Sequence, residues 1–292
     1  MLKDMLMRFT SSHTLIAATL MVCGLMAARP LMAAIEPLAE ADCRLMTERN
    51  TITEKNPLPC RRLARVTFSY VDFEGVRHND GKIVVMDAVA PYVQEIFATL
   101  LQRGFPLKKA VPLEHYKGDD KASMDDNNTN SFNGRALTGR PGWSLHAYGA
   151  AIDINPMQNP YVSFTRDEHG AYTGQAKVEP LAATAVALNR LNVRPNEPVY
   201  PGRTEGIIDI FASNGFLMWG GYWDTPLDYH HFQIGRASFV EYLARVSPAV
   251  AAGAVTTYVQ AYRSCMLQRP MEREHDTRRA TCVRQVVEAS PQ

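Results

Sequence analysis

The stretch that most restricts how this chain can fold runs from Ser144 to Pro156 and reads SLHAYGAAIDINP. It places an imidazole at His146 and a carboxylate at Asp153, and both groups are good ligands for a borderline metal ion such as Zn²⁺. The two residues are separated by an odd number of positions, so a straight strand would point them to opposite faces. We therefore expect a bend at Gly149, followed by a short strand that carries Asp153.

A second cluster, DYHHF at residues 228–232, favours a metal site. Taken alone, His146 and Asp153 fit a structural salt bridge as well as they fit a metal site. An aspartate between two isoleucines is nevertheless costly to bury unless it is paired or bound to a metal. Asp228 and His231 are three residues apart, so in a helical turn or a tight loop they project the same way. His231 then completes a His, Asp and His set that leaves a fourth position for water, as catalytic zinc sites require.

Three further residues have candidate roles at this centre. Asp228 is the candidate general base, which takes a proton from the water and passes it to the leaving amine. His230 is the rival third ligand, because in an extended segment it and His231 face opposite sides and only one reaches the metal. The alternative is that both histidines bond only to backbone groups. Arg135 can hold a substrate carboxylate or a developing oxyanion, or it is an ordinary surface arginine.

The N-terminus has the pattern of a secretory signal peptide. Lys3 and Arg8 precede the uncharged apolar run 15–28, and small residues follow it. A run of about 14 apolar residues fits a signal core better than a membrane span, which needs about 20. We expect residues 1–34 to be removed and the mature chain to be exported to the periplasm or cell envelope, without stable membrane insertion. The residues before Cys23 are not the small ones that lipid attachment there requires.

The number of cysteines and the net charge further restrict the class of protein. The mature chain keeps four cysteines, and their even number in an exported protein indicates disulfides. Of three possible connectivities, Cys43–Cys60 with Cys265–Cys282 is the simplest. The chain is 46% hydrophobic and 21% charged, which is ordinary for a globular protein, and its formal net charge of +1 excludes the basic field that nucleic-acid binding requires. Nothing in the sequence specifies an oligomeric state.

Hydrophobic periodicity predicts a mixed fold. A polar segment, residues 113–134, runs into the His146 stretch and is expected to be a loop that lines the site. The aromatic residues Trp219, Tyr222 and Trp223 either wall the pocket or belong to the core. Predicted strands are 66–70, 83–86 and 231–234 with a hairpin near 161–175, and predicted helices are 89–101, 180–192, 205–214 and the chain from 239 onwards.

Four segments together resemble one known family. They are, in order, NNTNSFNGR at 127–135, SLHAYGAAIDINP at 144–156, WGGYW at 219–223 and DYHHF at 228–232. They resemble the VanY-like D-alanyl-D-alanine carboxypeptidases, and especially their L-alanyl-D-glutamate endopeptidase branch, over roughly residues 65–235. The resemblance implies an α+β fold of the hedgehog and D-Ala-D-Ala peptidase type, a small antiparallel sheet flanked by helices. We expect a catalytic domain at 35–235 and a helical C-terminal extension at 236–292.

The resemblance also implies site roles. It implies one zinc ion on His146, Asp153 and His231, with Asp228 as the catalytic carboxylate and Arg135 as the residue that binds substrate or transition state. The chain departs from the family pattern at two positions. Many members have Glu at the position of Asp228, and some have a histidine at the position of Pro226. The metal and the reaction class are not affected by either departure.

The expected function is zinc-dependent hydrolysis of peptidoglycan stem peptides by metal-activated water, with Asp228 as general base. Carboxypeptidases and endopeptidases of this family share their ligands, so the cleaved bond is left open. The alternative is a binding module on the same fold that holds cell-wall peptides without cutting them. A module of that kind would be expected to have lost a ligand, whereas this chain has all three and Asp228.

Overall fold

The computed structural model describes residues 34–137, 141–188, 190, 200–268 and 274–292. The predicted signal peptide, apart from its last residue, lies outside the described residues, and so does the second part of the helix predicted at 180–192. Its first part is a 3₁₀ turn, Leu181–Ala183, continued by a short helix to Leu188.

The described strands form three small antiparallel sheets. The first contains β1 (Ala34–Pro37), β2 (Leu63–Val71) and β3 (Arg77–Met86) in that order. The second consists of β4 (Ala151–Asp153), β9 (His231–Gln233) and β7 (Met218–Trp219), with β9 in the middle. The third consists of β6 (Tyr172–Glu179), β5 (Tyr161–Arg166) and β8 (Leu227–Asp228), with β5 in the middle.

Helices surround these sheets and continue to the C-terminus. They are α1 (Glu40–Glu48), α2 (Ala90–Gln102), α3 (Asp120–Asp125), α4 (Thr184–Leu188), α5 (Ile208–Ser213), α6 (Ala237–Arg245), α7 (Pro248–Gln268) and α8 (His275–Ala289). The predicted fold class is therefore confirmed: helix and small antiparallel sheets are mixed, and the C-terminal segment is helical. No helix in the described ranges is long and apolar enough to cross a membrane.

The core forms where the first sheet meets α2. Val66 and Phe68 of β2 are buried and the strand packs against α2; Thr67 and Ser69, which alternate with them, are buried as well, so β2 is covered on both faces. The rings of Phe68 and Phe97 stack with centroids 3.8 Å apart. Each large apolar side chain that is fully buried in this way contributes about 1.5–3 kcal/mol. This packing makes the first sheet a fixed platform for the residues that follow.

The C-terminal helices share this core. Val255 and Val259 of α7 are fully buried in the same apolar cluster as the sheets, and the Tyr258 hydroxyl donates to the carbonyl oxygen of Ile234 at 2.7 Å. Both predicted disulfides are formed: Cys43–Cys60 joins α1 to the turn before β2, and Cys265–Cys282 joins α7 to α8. Disulfides are typical of proteins in oxidising compartments, which agrees with export.

The polar segment predicted as a loop is buried over its last third. It contains α3, and the residues from Asn127 to Asn133 are all buried beside β4. Asn130 pairs with Asp153 through both backbone hydrogen bonds, at 3.1 and 2.8 Å, and the Ser131 hydroxyl donates to the carbonyl oxygen of Ala151 at 2.6 Å. Burial of so many polar groups is possible because they are hydrogen-bonded. The segment thus supports the site from the side, as an added edge along β4.

Gly149 is the point where the His146 turn meets the first sheet. Its φ is +64°, and its carbonyl oxygen accepts a hydrogen bond from the Met86 amide at 2.9 Å. A Cβ at this position would lie 2.5 Å from the Met86 nitrogen and 2.7 Å from the Val85 carbonyl carbon. Backbone atoms of β3 at these distances leave no room for a side chain.

We predict that Gly149→Ala destabilises the protein by on the order of 2–4 kcal/mol, because it adds backbone overlap to left-handed strain. Gly104→Ala is the matched control, since Gly104 has the same φ of +64° but nothing within 4 Å of its Cβ position. Strain alone should cost that variant about 1–2 kcal/mol. Urea unfolding measures both, and equal losses would show that the close approach to β3 is not what requires glycine.

Candidate metal centre

Two sheet strands and one turn bring the predicted ligands together. Asp153 ends β4 and His231 begins β9, and the two are direct cross-strand partners. His146 lies in a 3₁₀ turn, Leu145–Tyr148, and the backbone amide of His146 donates a hydrogen bond to the Ser144 hydroxyl. The predicted bend at Gly149 then returns the chain to β4. One ligand atom from each of the three residues lies within 4.8 Å of the other two.

Each histidine is oriented by a hydrogen bond on the side away from the cluster. His146 Nδ1 lies 2.5 Å from the carbonyl oxygen of Ser131, and a carbonyl can only accept. His231 Nε2 lies 2.9 Å from Gln233 Oε1, while the amide nitrogen of Gln233 donates to the Gly235 carbonyl oxygen at 2.8 Å. Both contacts require the outer ring nitrogen to carry the proton. In the neutral rings, His146 Nε2 and His231 Nδ1 therefore present lone pairs to the cluster.

The cluster consists of acceptors only. His146 Nε2 and His231 Nδ1 are 3.1 Å apart, and Asp153 Oδ1 lies 3.3 Å from the first and 3.2 Å from the second. Lone pairs and a carboxylate at these distances repel one another unless a cation or a proton lies between them. Two imidazole nitrogens and a carboxylate oxygen are a donor set of catalytic zinc sites, so the residues present fit a zinc ion.

Charges within the cluster stabilise the carboxylate. Burial works to raise the pKa of Asp153, but charge interactions with His146 and His230 outweigh burial and hold the pKa well below its usual range. Burial works to lower the pKa of His231, but the interactions with Asp153, Asp228 and Gln233 together outweigh burial and raise the pKa. Asp153 is thus an ionised ligand candidate, and the cluster as a whole attracts positive charge.

His230 points away from the cluster centre, towards the carboxylate of Asp228. Its Nε2 lies 2.9 Å from Asp228 Oδ1 and 3.8 Å from Asp153 Oδ2, and its Nδ1 lies 2.8 Å from the Asn159 carbonyl oxygen. Burial works to lower the pKa of His230, but Asp228 and Asp153 raise it to about 10. With oxygen acceptors at both nitrogens, the ring is an imidazolium that pairs with Asp228. The structure therefore separates the two adjacent histidines as their extended backbone predicted.

Asp228 lies beside the cluster, in the tight turn region that was predicted. It ends β8, three residues before β9 begins, and 13% of its side chain is exposed. Gly220 makes this position possible, because a Cβ there would lie 2.5 Å from the Asp228 carbonyl oxygen and 2.8 Å from the Asp228 Cβ. The first glycine of WGGYW is thus required by close approach to the candidate base.

Arg135 lies next to the turn that carries His146 but is not a member of the cluster of candidate ligands. Its carbonyl oxygen accepts a hydrogen bond from the Ser144 amide at 3.2 Å, which places it next to the His146 turn. Its guanidinium Nε lies 3.1 Å from Asp120 Oδ2 of α3, and 40% of its side chain is exposed. The guanidinium is therefore held at the rim, where it can meet a ligand.

The predicted aromatic wall is divided between core and site. Trp219 is buried and its indole nitrogen donates to the Tyr229 carbonyl oxygen at 2.8 Å, so it belongs to the core. The Trp223 ring lies beside His231, with centroids 5.3 Å apart. Tyr222 is 59% exposed and contacts Arg279 of α8.

Three residues at the site were not predicted. Ser131 and Gln233 fix the two ligand rings, and Tyr161 pairs with Asp228 across β5 and β8. A signal for Gln233 existed, because it follows His231 by two residues in a strand and so shares its face. No comparable signal existed for Ser131, since its carbonyl reaches His146 only through the tertiary fold.

The small antiparallel sheets thus carry a His, Asp and His cluster that could hold a metal ion. The family described as D-alanyl-D-alanine carboxypeptidase matches residues 138–234, a segment that contains all three ligand candidates and Asp228. The resemblance to the VanY-like peptidases is thus confirmed for this segment, and it supports a peptidase. No curated protein and no solved structure gave a significant match to the chain.

We predict that His231→Gln loses bound zinc and that His230→Gln keeps it. Only the first substitution removes an atom from the cluster, while the second changes a side chain that faces Asp228. Elemental analysis of dialysed protein measures the metal content of both variants. Equal loss from the two would make His230 a ligand and would contradict the assignment.

We also predict that Gln233→Leu weakens zinc affinity by about 10- to 100-fold, because the His231 ring loses the acceptor that fixes its proton and its orientation. Competition with a chromogenic chelator measures the affinity. Gln175→Leu, an exposed residue of β6, is the control and should bind zinc as the unmodified protein does. Unchanged affinity in Gln233→Leu would show that the amide does not support the ligand.

Proposed function

We propose that this protein is an exported zinc peptidase that hydrolyses a peptide bond in the stem peptides of peptidoglycan. The observation that carries the proposal is the convergence of three acceptor atoms from His146, Asp153 and His231 beside the carboxylate of Asp228. The match of the surrounding segment to a family of D-alanyl-D-alanine carboxypeptidases supports the substrate class. Release of the terminal D-alanine and cleavage after L-alanine are both within this proposal.

His146, Asp153 and His231 would hold one zinc ion. When bound, zinc polarises a carbonyl group and lowers the pKa of a coordinated water. The protein supplies the geometry for this chemistry, because the carbonyl oxygen of Ser131 and the amide of Gln233 keep both imidazoles aimed at one point. Ligands that are fixed in advance need no rearrangement when the metal binds.

Asp228 is the proposed general base. His230 pairs with its Oδ1 at 2.9 Å, and Oδ2 makes no hydrogen bond with another residue in the described ranges. That second oxygen is free to accept a proton from the attacking water and to deliver it to the leaving amine. The single flanking imidazolium also fixes the orientation of the carboxylate, which a two-residue strand alone would hold weakly.

Arg135 is the proposed substrate-binding cation. Its ion pair with Asp120 leaves part of the guanidinium exposed at the rim of the site. A guanidinium can bind a carboxylate through two parallel hydrogen bonds, and stem peptides carry carboxylates. Asp120 then limits the positions that the side chain of Arg135 can adopt.

Export and domain limits complete the proposal. We place a signal peptide at residues 1–34, the catalytic domain at 35–235 and a helical extension at 236–292. The two disulfides support an oxidising compartment such as the periplasm or cell envelope. The extension packs on the catalytic core through Val255, Val259 and Tyr258, so it stabilises the domain.

Mass spectrometry of peptidoglycan digested by the mature, zinc-loaded protein tests the proposal. New fragments that disappear with chelator would support it, and their masses would distinguish released D-alanine from a stem cut after L-alanine. If protein with stoichiometric zinc yields no fragments but retains stem peptides on a column, the protein is instead a binding module on this fold.

We predict that Asp228→Asn keeps its zinc and loses about 10²- to 10⁴-fold in kcat, because the amide cannot take up the proton. Asp224→Asn is the matched control, four residues earlier and exposed, and should retain full activity. Steady-state hydrolysis of a defined stem peptide measures kcat for both, together with metal content. An Asp228→Asn variant that stays active would exclude Asp228 as the base.

A further inference from the structure

One row of side chains crosses the third sheet next to the metal centre. Tyr161 of β5 is the direct antiparallel partner of Asp228 on β8 and of Glu179 on β6. Directly opposed residues of antiparallel strands place their side chains on the same face, with Cβ atoms about 4.5–5.5 Å apart. Asp228, Tyr161 and Glu179 therefore form a polar row that leads away from the candidate base.

The other face of the same sheet is apolar and buried. Val162 and Val178 are direct partners one position along, and they are only 7% and 9% exposed. Because side chains alternate between the two faces of a strand, the polar row lies on the opposite face from these valines. The third sheet thus rests on the core and presents Tyr161 on the side of Asp228.

Charged groups on two sides act on the phenol of Tyr161. Burial and the carboxylates of Asp228 and Glu179 raise the pKa of Tyr161, while Lys177 and Arg135 lower it in part. Tyr161 is thus within electrostatic reach of both the candidate base and the candidate substrate-binding cation. Its ring is half-buried, and its hydroxyl makes no hydrogen bond with another residue of the described chain. A neutral hydroxyl in this position is a donor without an acceptor among the described residues.

We propose that Tyr161 is a substrate-binding residue whose hydroxyl donates a hydrogen bond to a backbone carbonyl oxygen of the bound peptide. The inference rests on the proposed function, since it assumes that the peptide lies along the row that starts at Asp228. The acceptor is a peptide carbonyl and not a carboxylate of the ligand, because Asp228 and Glu179 on either side of Tyr161 would repel a negative charge. Tyr161 thereby gives the cleft a contact that is independent of the metal and of the base.

Tyr161→Phe tests the inference, because it removes the hydroxyl and keeps the ring. One neutral hydrogen bond lost from the bound peptide should raise KM for a defined stem peptide by about tenfold, with kcat nearly unchanged. Tyr172→Phe is the control: it makes the same change on β6 of the same hairpin, at a residue that is 52% exposed. It should leave KM and kcat as they are.

Binding of the same peptide is also measured calorimetrically in the zinc-loaded Asp228→Asn protein, with and without Tyr161→Phe, so that no cleavage intervenes. Affinity that falls by the same factor as KM rises supports the contact. Unchanged KM and affinity, a fall in kcat alone, or loss of zinc or thermal stability overturns it. If the unmodified protein cleaves no stem peptide, the proposed function fails, whereas the calorimetric comparison still reports on the contact of Tyr161.

Discussion

The pairing of β4 with β9 is the interaction on which the rest of the site depends. It sets Asp153 opposite His231 although 78 residues separate them in the chain, and the two side chains meet at 3.2 Å. The flanking strand β7 and the Asn130 segment hold this pair from its two sides. Since register in a sheet fixes which side chains are opposed, a slip of one residue would separate the two ligands.

The remaining parts of the centre are attached to that pair through close backbone approaches. Gly149 fastens the His146 turn to the end of β3, and Gly220 allows β8 to bring Asp228 alongside. Both contacts are between main chains, so the distances have little freedom to vary. A rigid frame of this kind suits chemistry in which a base and a metal must act on one water molecule.

Polar support is unusually extensive for a buried region. The segment from Asn127 to Asn133 is buried because its polar groups pair with β4 and with the His146 ring. From the sequence it was expected to be a loop that lines the site, and its burial was not predicted, since pairing partners so distant in the chain cannot be read from local composition. The periodic elements were predictable for the opposite reason. The strand 66–70 and the helix 89–101 follow from apolar spacing within the segment itself. The first lies within β2, and the second matches α2 to within one residue at each end.

The sequence by itself supplied the chemical groups: two histidines and two aspartates in motifs typical of a metal peptidase. It also indicated a bend at Gly149 and four cysteines whose local pairing was the simplest of three connectivities. It left His230 and His231 as rivals, because adjacent residues of an extended segment differ only in the side they face. Only the tertiary structure decided that His231 joins the cluster and His230 pairs with Asp228. It alone placed Ser131 and Tyr161, because a cross-strand register and a carbonyl's direction are properties of the assembled sheets.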